Sequence, residues 1–230
     1  MRFLLLILLL ISTEISQAQS IKTQLRFELL FNKAKLNLDE LYFDPVNQDS
    51  IKITTLKFYV SDIVLNFKGG NSPPQYYPVR QLIDFKYPES LKIKDIDVNQ
   101  TESISFVLGL DSSINVSGAL GGDLDPTQGM YWSWQSGYIN FKLEGISKNC
   151  LTRDKSFNFH LGGYKKPFES IRKVNLYFKS KKSKIIELDL IHFFKKTDLS
   201  QQAGIMSPSQ IAKKKSQILK SYFRIIKGGG

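Results

Sequence analysis

Residues 124–145 read LDPTQGMYWSWQSGYINFKLEG, and this is the most distinctive stretch of the chain. It contains both tryptophans, Trp132 and Trp134, which are two residues apart and therefore point to the same side of a strand. Beyond Gly137, apolar residues continue at every second position: Ile139, Phe141 and Leu143. Glycine within a strand often marks a bulge, so a bulge at residues 136–137 is expected to turn one tryptophan towards the rim of the fold.

The same two-residue period recurs along the chain in short runs separated by turn residues. The runs cover 21–32, 52–67, 79–85, 102–110, 157–161, 174–178 and 185–194. The second run is interrupted at Ser61–Asp62, which indicates a bulge or a crossing between sheets. The last two runs are expected to form a hairpin around the lysine-rich residues 179–184. Many short strands predict an all-β fold, an antiparallel β-sandwich.

Only the end of the chain changes period. Residues 207–210 have the Ser-x-x-Gln spacing of a capping box, with Pro208 at the first helical position, and apolar residues follow at helical intervals. This pattern predicts a short C-terminal helix at about residues 208–223. No linker divides the chain, so residues 19–230 are expected to form a single domain that includes this helix.

The N-terminus predicts export. Residues 1–18 combine Arg2, an apolar run and a small-residue cleavage pattern, as a signal peptide does. No later stretch is apolar enough for a transmembrane segment, and no cysteine lies at the cleavage site to carry a lipid anchor. A periplasmic or secreted protein is therefore expected. Cys150 is the chain's single cysteine, so it forms no internal disulfide and is expected to be structural.

The chain is basic, with a formal net charge of +11. The lysines concentrate in runs at 179–184 and 213–215, which predict a solvated loop and a helix face attracted to anionic envelope surfaces. Because an exported protein rarely meets nucleic acid, nucleic acid is not expected as a partner.

The pattern LDPxxGMYWxWxSGYxxFKLEG, followed by SFNFHLGG at 156–163, resembles the MbnP-like family. These are secreted bacterial proteins related to the methanobactin-associated copper-binding protein. Weaker similarity covers KFYVSDIVL at 57–65, FVLGLDSSINVSGA at 106–119 and DLIHFFKK at 189–196. The resemblance implies a β-sandwich, and copper bound through histidines and a tryptophan oxidised to kynurenine. It also implies a redox enzyme as the partner that modifies the tryptophan.

The chain has two histidines, and their strand faces differ. His192 continues the apolar face of residues 186–194 and is expected to be a buried core histidine. His160 lies opposite the apolar side of its strand and precedes Gly162 and Gly163, where backbone can approach closely. His160 is therefore the candidate metal ligand, and an ordinary surface histidine is the alternative.

The remaining copper candidates surround the tryptophans. The resemblance favours Trp132 first and Trp134 second as the modified or copper-proximal residue. Met130 offers a soft thioether ligand, and Met206 is a more distant one. A Trp132 atom is expected within about 8 Å of the His160 ring, the reach of a contact plus one further shell. Loss of the site stays open because the copper-binding relatives use more than one histidine.

The acidic stretch at 111–128 suggests a different cation. Asp123 and Asp125 supply oxygen ligands of the kind Ca²⁺ prefers, although no EF-hand spacing is present. The alternative is turn chemistry, since Asp125 precedes Pro126.

Catalytic motifs are missing from the sequence. It contains no Gly-x-Ser-x-Gly, no His-Glu-x-x-His and no phosphate-binding glycine loop, so an enzyme is not expected. The leading hypothesis is an exported metal-binding protein that captures or delivers copper. The alternative is a cell-envelope β-sandwich module without metal, which recognises a glycan or protein partner through exposed aromatic residues.

Overall fold

The structure is a computed structural model that describes residues 25–70, 72–93, 96, 98, 101–133, 135–179 and 183–227. The expected signal peptide at 1–18 and Trp134 lie outside these residues. In chain order the strands are β1 (Arg26–Phe31), β2 (Ala34–Lys35), β3 (Leu41–Asp44), β4 (Asp49–Phe67), β5 (Gln75–Asp84), β6 (Thr101–Leu108), β7 (Tyr131–Ser133), β8 (Gly137–Ser147), β9 (Ser156–Gly162), β10 (Arg172–Tyr177), β11 (Ser183–Asp189), β12 (Gly204–Ile205) and β13 (Phe223–Lys227). The α-helices are α1 (Ser112–Val116), α2 (Ile191–Phe194) and α3 (Gln210–Leu219). Short 3₁₀ helices cover Lys68–Gly70, Pro88–Leu91, Gly122–Leu124, Pro126–Gln128 and Lys220–Tyr222.

The strands form a smaller and a larger sheet. The smaller sheet has the order β13-β11-β1-β2, and the larger has the order β10-β6-β4-β8-β9-β12. In the larger sheet β3 and β5 also pair with β4, while β7 pairs with β8. The long strand β4 reaches so many partners because its 19 residues pair with different strands along their length, and its register shifts at Asp62, whose φ is 49°. The interruption predicted at Ser61–Asp62 is therefore confirmed as a bulge.

The two sheets pack face to face around an aromatic core. Phe27 of the smaller sheet contacts the rings of Phe58 and Phe106 in the larger sheet, with centroids 5.2 and 5.9 Å apart. Cys150 is fully buried in this core, which agrees with a structural role. The β-sandwich prediction is confirmed, although β1–β11 and β9–β12 are parallel pairs within otherwise antiparallel sheets.

The hairpin predicted around the lysine run is wrong. β10 pairs with β6 in the larger sheet, whereas β11 lies between β1 and β13 in the smaller one. The chain therefore crosses from one sheet to the other between these strands. β11 ends at Asp189, so His192 lies on α2 instead of a strand. It is half-buried beside the Tyr222 ring, with centroids 5.3 Å apart, so the expected fully buried core histidine is also wrong.

The C-terminal helix is confirmed but ends earlier than expected. Its N-cap is Ser209, which accepts a hydrogen bond from the Ala212 amide, so the capping box expected at 207–210 with Pro208 at the first helical position is wrong. The chain then returns to strand at Phe223, because Phe223 and Ile225 alternate inward and pair β13 with β11. None of the helices in the described ranges is long and apolar enough to cross a membrane.

A second, smaller core covers part of the outer face of the larger sheet. The segment 111–130, predicted as a loop, folds into α1 and two 3₁₀ helices. Its apolar residues pack on outward-facing residues of the sheet in one cluster: Tyr59, Leu82, Leu110, Ile114, Leu124, Met130, Tyr138 and Ile139. The Tyr138 hydroxyl donates to the Leu124 carbonyl at 2.9 Å and accepts from the Leu120 amide at 3.1 Å. This cover gives the outer face a sheltered interior.

Candidate functional site

His160 lies in the middle of β9 and points to the outer face, because its neighbours Phe159 and Leu161 enter the main core. It is nevertheless only 5 % exposed, so it is not an ordinary surface histidine. Its Nε2 lies 2.7 Å from Glu144 Oε1 on the adjacent strand β8. Lys142 Nζ lies 3.2 Å from the same oxygen.

The Glu144 carboxylate decides which imidazole nitrogen carries the hydrogen. The hydrogen bond with His160, helped by Lys142, lowers the pKa of Glu144 to about 2. Because an ionised carboxylate only accepts, Nε2 must be the donor, and in the neutral ring Nδ1 then has the free lone pair. Nδ1 is buried and has no hydrogen-bond partner among the described residues. A buried acceptor left without a partner is uncommon in folded proteins, so this nitrogen is free to accept a hydrogen bond from water or to bind a ligand.

A row of polar and charged side chains crosses the larger sheet and ends at His160. Asp84, Lys57, Lys142 and His160 pair in register across β5, β4, β8 and β9. Lys57 bonds Asp84 at 2.9 Å and also donates to the Gln128 carbonyl, while Lys142 donates to the Gly129 carbonyl. The two lysines thus hold the backbone just before β7 against the sheet.

Trp132 lies on the short hairpin formed by β7 and β8. The break at Gly137, whose φ is 73°, is therefore the end of a turn and not a bulge within one continuous strand. The indole packs on Gly162, where an added Cβ would lie 2.5 Å from Trp132 Cζ3. Trp132 Nε1 is buried and, within the described part of the chain, has no hydrogen-bond partner.

Trp132 and His160 share one face of β9. Gly162 is two residues beyond His160, a spacing of roughly 6–7 Å along a strand. The Trp132 indole, which packs on Gly162, and the His160 imidazole therefore occupy successive positions on that face. The expected short distance between the two rings depends on this arrangement and stays a prediction. Trp132 Nε1 and His160 Nδ1 are both buried, and neither has a hydrogen-bond partner among the described residues.

Met130 and Met206 are the two thioether ligands that the sequence offered. Met130 is fully buried in the smaller core, against which Trp132 packs. Met206 directly follows Ile205, the last residue of the edge strand β12, and the parallel partner of Ile205 is Phe159, the residue before His160. The Met206 side chain is 58 % exposed.

Asp123 and Asp125 of segment 111–130 accept hydrogen bonds from β5 and from the segment itself. Asp123 Oδ2 accepts from the Leu82 amide at 3.0 Å, and Asp125 accepts from the amide and hydroxyl of Thr127. The bonds from Thr127 lower the pKa of Asp125. Across the described ranges, no group of three or more His, Cys, Asp or Glu side chains is placed to hold a metal ion.

Comparison with known proteins decides the family. A family model described as MbnP matches residues 20–207, which is more than half of the chain. The chain belongs to the MbnP family. The solved structure of MbnP from Methylosinus trichosporium has a similar fold, with a TM-score of 0.61 at 18 % identity, covering 83 % of this chain and 86 % of that chain. A search of curated proteins returned no match.

The range matched by the MbnP model contains every candidate residue: Asp123, Asp125, Met130, Trp132, Trp134, His160 and Met206. It ends before α3 and β13, which nonetheless complete the smaller sheet and the core. The sequence reasoning missed Glu144 and Lys142. Their position two apart on the outward face of β8 was a signal, but it is also the pattern of any solvated strand.

Proposed function

We propose that this MbnP-family protein is exported and binds copper as cargo, for capture or delivery, with His160 Nδ1 as a ligand. The observation that carries the proposal is the buried Nδ1 atom, which has no partner among the described residues while Nε2 is held by Glu144. Metal-binding histidines usually donate their second ring nitrogen to a carboxylate in this way, which fixes the tautomer and orients the ring.

The nearby donors suit a soft ion better than a hard one. Imidazole nitrogen and thioether sulfur are ligands that Cu(I) accepts, and Met206 follows the end of β12, whose last pair is Ile205 with Phe159, the residue before His160. Met130 is a second thioether, in the smaller core that contacts Trp132. By contrast, Asp123 and Asp125 already accept hydrogen bonds that fix their loop, so calcium has weaker support.

Each neighbour of His160 has a definite task in this proposal. Glu144 holds the imidazole so that the Nδ1 lone pair faces the ligand position, and Lys142 balances the carboxylate charge. Trp132 covers the strand at Gly162 and limits the access of water. If a redox enzyme converts Trp132 to kynurenine with O₂ as the oxidant, the indole C2–C3 bond is cleaved and C2 leaves as formate on hydrolysis. The side chain then carries an aromatic amine and a ketone oxygen, two possible ligand atoms at the same place.

Metal analysis and mass spectrometry test the proposal together. The protein is expressed with its own N-terminus in copper-supplemented cells, recovered from the periplasm, and analysed for bound metals and for the intact and peptide masses. The proposal expects removal of residues 1–18 and copper bound to the protein. Export without copper, or copper retained equally by a His160→Gln variant, contradicts it. The peptide containing Trp132 shows independently whether that residue is oxidised.

A further inference from the structure

The exposed side of α3 is unlike the surface of an ordinary packed helix. The helix buries Ala212, Lys215 and Leu219 and presents Ile211, Lys214 and Ile218 to the outside. Ile211 and Ile218 are 47 % and 38 % exposed, and a separation of seven residues places them on the same side, about 10 Å apart. Lys214 lies between them.

The loop between β9 and β10 extends this surface. Lys213 Nζ donates to the Pro167 carbonyl at 2.9 Å, which ties the loop to α3. A Cβ on Gly163 would touch both the Phe168 backbone and Pro208, so Phe168 lies near the start of the helix. Phe168 is itself 40 % exposed, and Lys165 and Lys166 precede it as exposed cations. We call Phe168, Ile211, Ile218, Lys165, Lys166 and Lys214 the basic apolar patch.

A groove at the edge of this patch is lined with cationic and amide side chains. It has a volume of about 410 Å³ and is lined by Arg172, Gln210, Lys213, Lys214, Gln217 and Ile218. Arg172 directs its terminal nitrogens to the carbonyls of Ile171 and Lys213, and its buried Nε has no hydrogen-bond partner among the described residues. The walls of the groove are mostly apolar, because the nitrogens of Arg172 and Lys213 turn to backbone carbonyls, and Lys214 is the exposed cation beside it.

The charge of the region is nearly all of one sign. Residues 163–173 contain Lys165, Lys166, Arg172 and Lys173 against one acid, Glu169, and residues 204–221 contain four lysines and no acid. One of these lysines, Lys215, is buried on the opposite side of α3, over the Phe193 ring. Exposed apolar side chains surrounded by lysines are the composition of helices that lie on anionic bilayers.

We propose that the basic apolar patch docks the protein on an anionic phospholipid surface. Lys165, Lys166 and Lys214 meet the headgroup charge, while Phe168, Ile211 and Ile218 enter the boundary between headgroups and acyl chains, with the apolar walls of the groove beside Ile218. The helix axis then lies in the plane of the membrane, with β9 and the His160 site behind it. This proposal does not depend on copper binding.

Vesicle co-sedimentation of the exported protein tests it. Phosphatidylcholine vesicles are prepared with and without phosphatidylglycerol, and three double variants are compared with the parent: Lys166→Gln/Lys214→Gln, Ile211→Gln/Ile218→Gln, and Lys33→Gln/Lys35→Gln. The last pair is the matched control, because it removes the same charge from exposed residues at β2, on the smaller sheet. All variants share one N-terminus, so any contribution of that segment cancels.

The expected result is binding to the phosphatidylglycerol vesicles that added salt weakens. The partition coefficient should fall about fivefold for each patch lysine removed, since each lysine near an anionic surface contributes about that factor. The isoleucine pair should also weaken binding, while the control pair should leave it close to that of the parent. Circular dichroism checks that each variant is folded.

Three outcomes overturn the proposal. The first is an absence of binding by the parent to phosphatidylglycerol vesicles. The second is an equal loss in the control pair, which assigns the binding to net charge. The third is a parent dimer in light scattering that the isoleucine pair dissociates without any effect on vesicles, which assigns the patch to a second copy of the chain.

Discussion

At the scale of single residues, the contact between His160 and Glu144 couples the candidate site to pH. The folded-state pKa of Glu144 is about 2, below its ordinary value of 4.5, because the carboxylate accepts hydrogen bonds from His160 and Lys142. A depressed acid pKa contributes stability that is present above 4.5 and is lost as the pH falls towards 2.

The Glu144→Gln variant should therefore lose less stability than the parent between pH 4.5 and 2. Thermal melting in a pH series, expressed as the difference between the two proteins, removes the contribution of other carboxylates. Parallel curves for the two proteins across this window would show that Glu144 is not held by His160.

Gly162 is the second residue with a measurable role, because it makes room for the indole. A Cβ at this position would lie 2.5 Å from Trp132 Cζ3 and 2.9 Å from the Tyr138 carbonyl. We expect Gly162→Ala to destabilise the fold by about 1–3 kcal/mol, as overpacking does.

Gly121→Ala provides the control for that experiment. Gly121 has an ordinary φ of −95° and no atom within 4 Å of an added Cβ, so its substitution should change stability by less than about 0.5 kcal/mol. Denaturant unfolding measures both variants. Equal effects would show that the indole does not rest on Gly162.

At the scale of elements, the unexpected strand β13 is predicted to be essential to the sandwich. Phe223 lies between the sheets and contacts the rings of Phe58 and Phe106, with centroids 5.6 and 5.7 Å apart. We expect Phe223→Ala to cost about 3–5 kcal/mol, the range for a buried phenylalanine. Tyr177→Ala on β10, where the side chain is 70 % exposed, should cost little in the same unfolding experiment. A small loss in the Phe223 variant would mean that β13 adds little to the core.

The element predictions from sequence succeeded where the information was local and failed where it was not. Alternation is a property of neighbouring residues, so the longer strands, the β4 bulge and the presence of a C-terminal helix could be found, although the cap was placed at Ser207 instead of Ser209. Strand pairing is a property of the whole fold. β10 and β11 follow one another closely, as hairpin strands do, but they bury their apolar faces from opposite sheets.

In the candidate site, too, sequence predicted what depends on neighbouring residues and missed what depends on the whole fold. Alternation correctly placed His160 opposite the core side of β9, but its burial and its contact with Glu144 depend on the pairing of β9 with β8 and on the surrounding fold. The parallel pairing of β12 with β9, which ends one residue before Met206, is likewise a property of the whole fold. Glu144 was missed because an acid on an outward strand face is ordinarily solvated.

At the scale of the whole molecule, the sandwich separates two surfaces with different chemistry. The outer face of the larger sheet carries the buried His160 and a small core against which Trp132 packs. The α3 side carries exposed isoleucines among lysines. An exported copper carrier that rests on a membrane through α3 would keep its cargo site on the sheet behind that helix.

A Cu(I) competition titration of paired histidine variants tests the central claim most directly. The chain has two histidines, so His192→Gln on α2 is a matched control for His160→Gln. We predict that His160→Gln lowers the Cu(I) affinity at least tenfold, which corresponds to about 1.4 kcal/mol of binding free energy. His192→Gln should bind Cu(I) as the parent does. Equal affinities in the two variants, or a loss confined to His192→Gln, would contradict the assignment of His160 as the copper ligand.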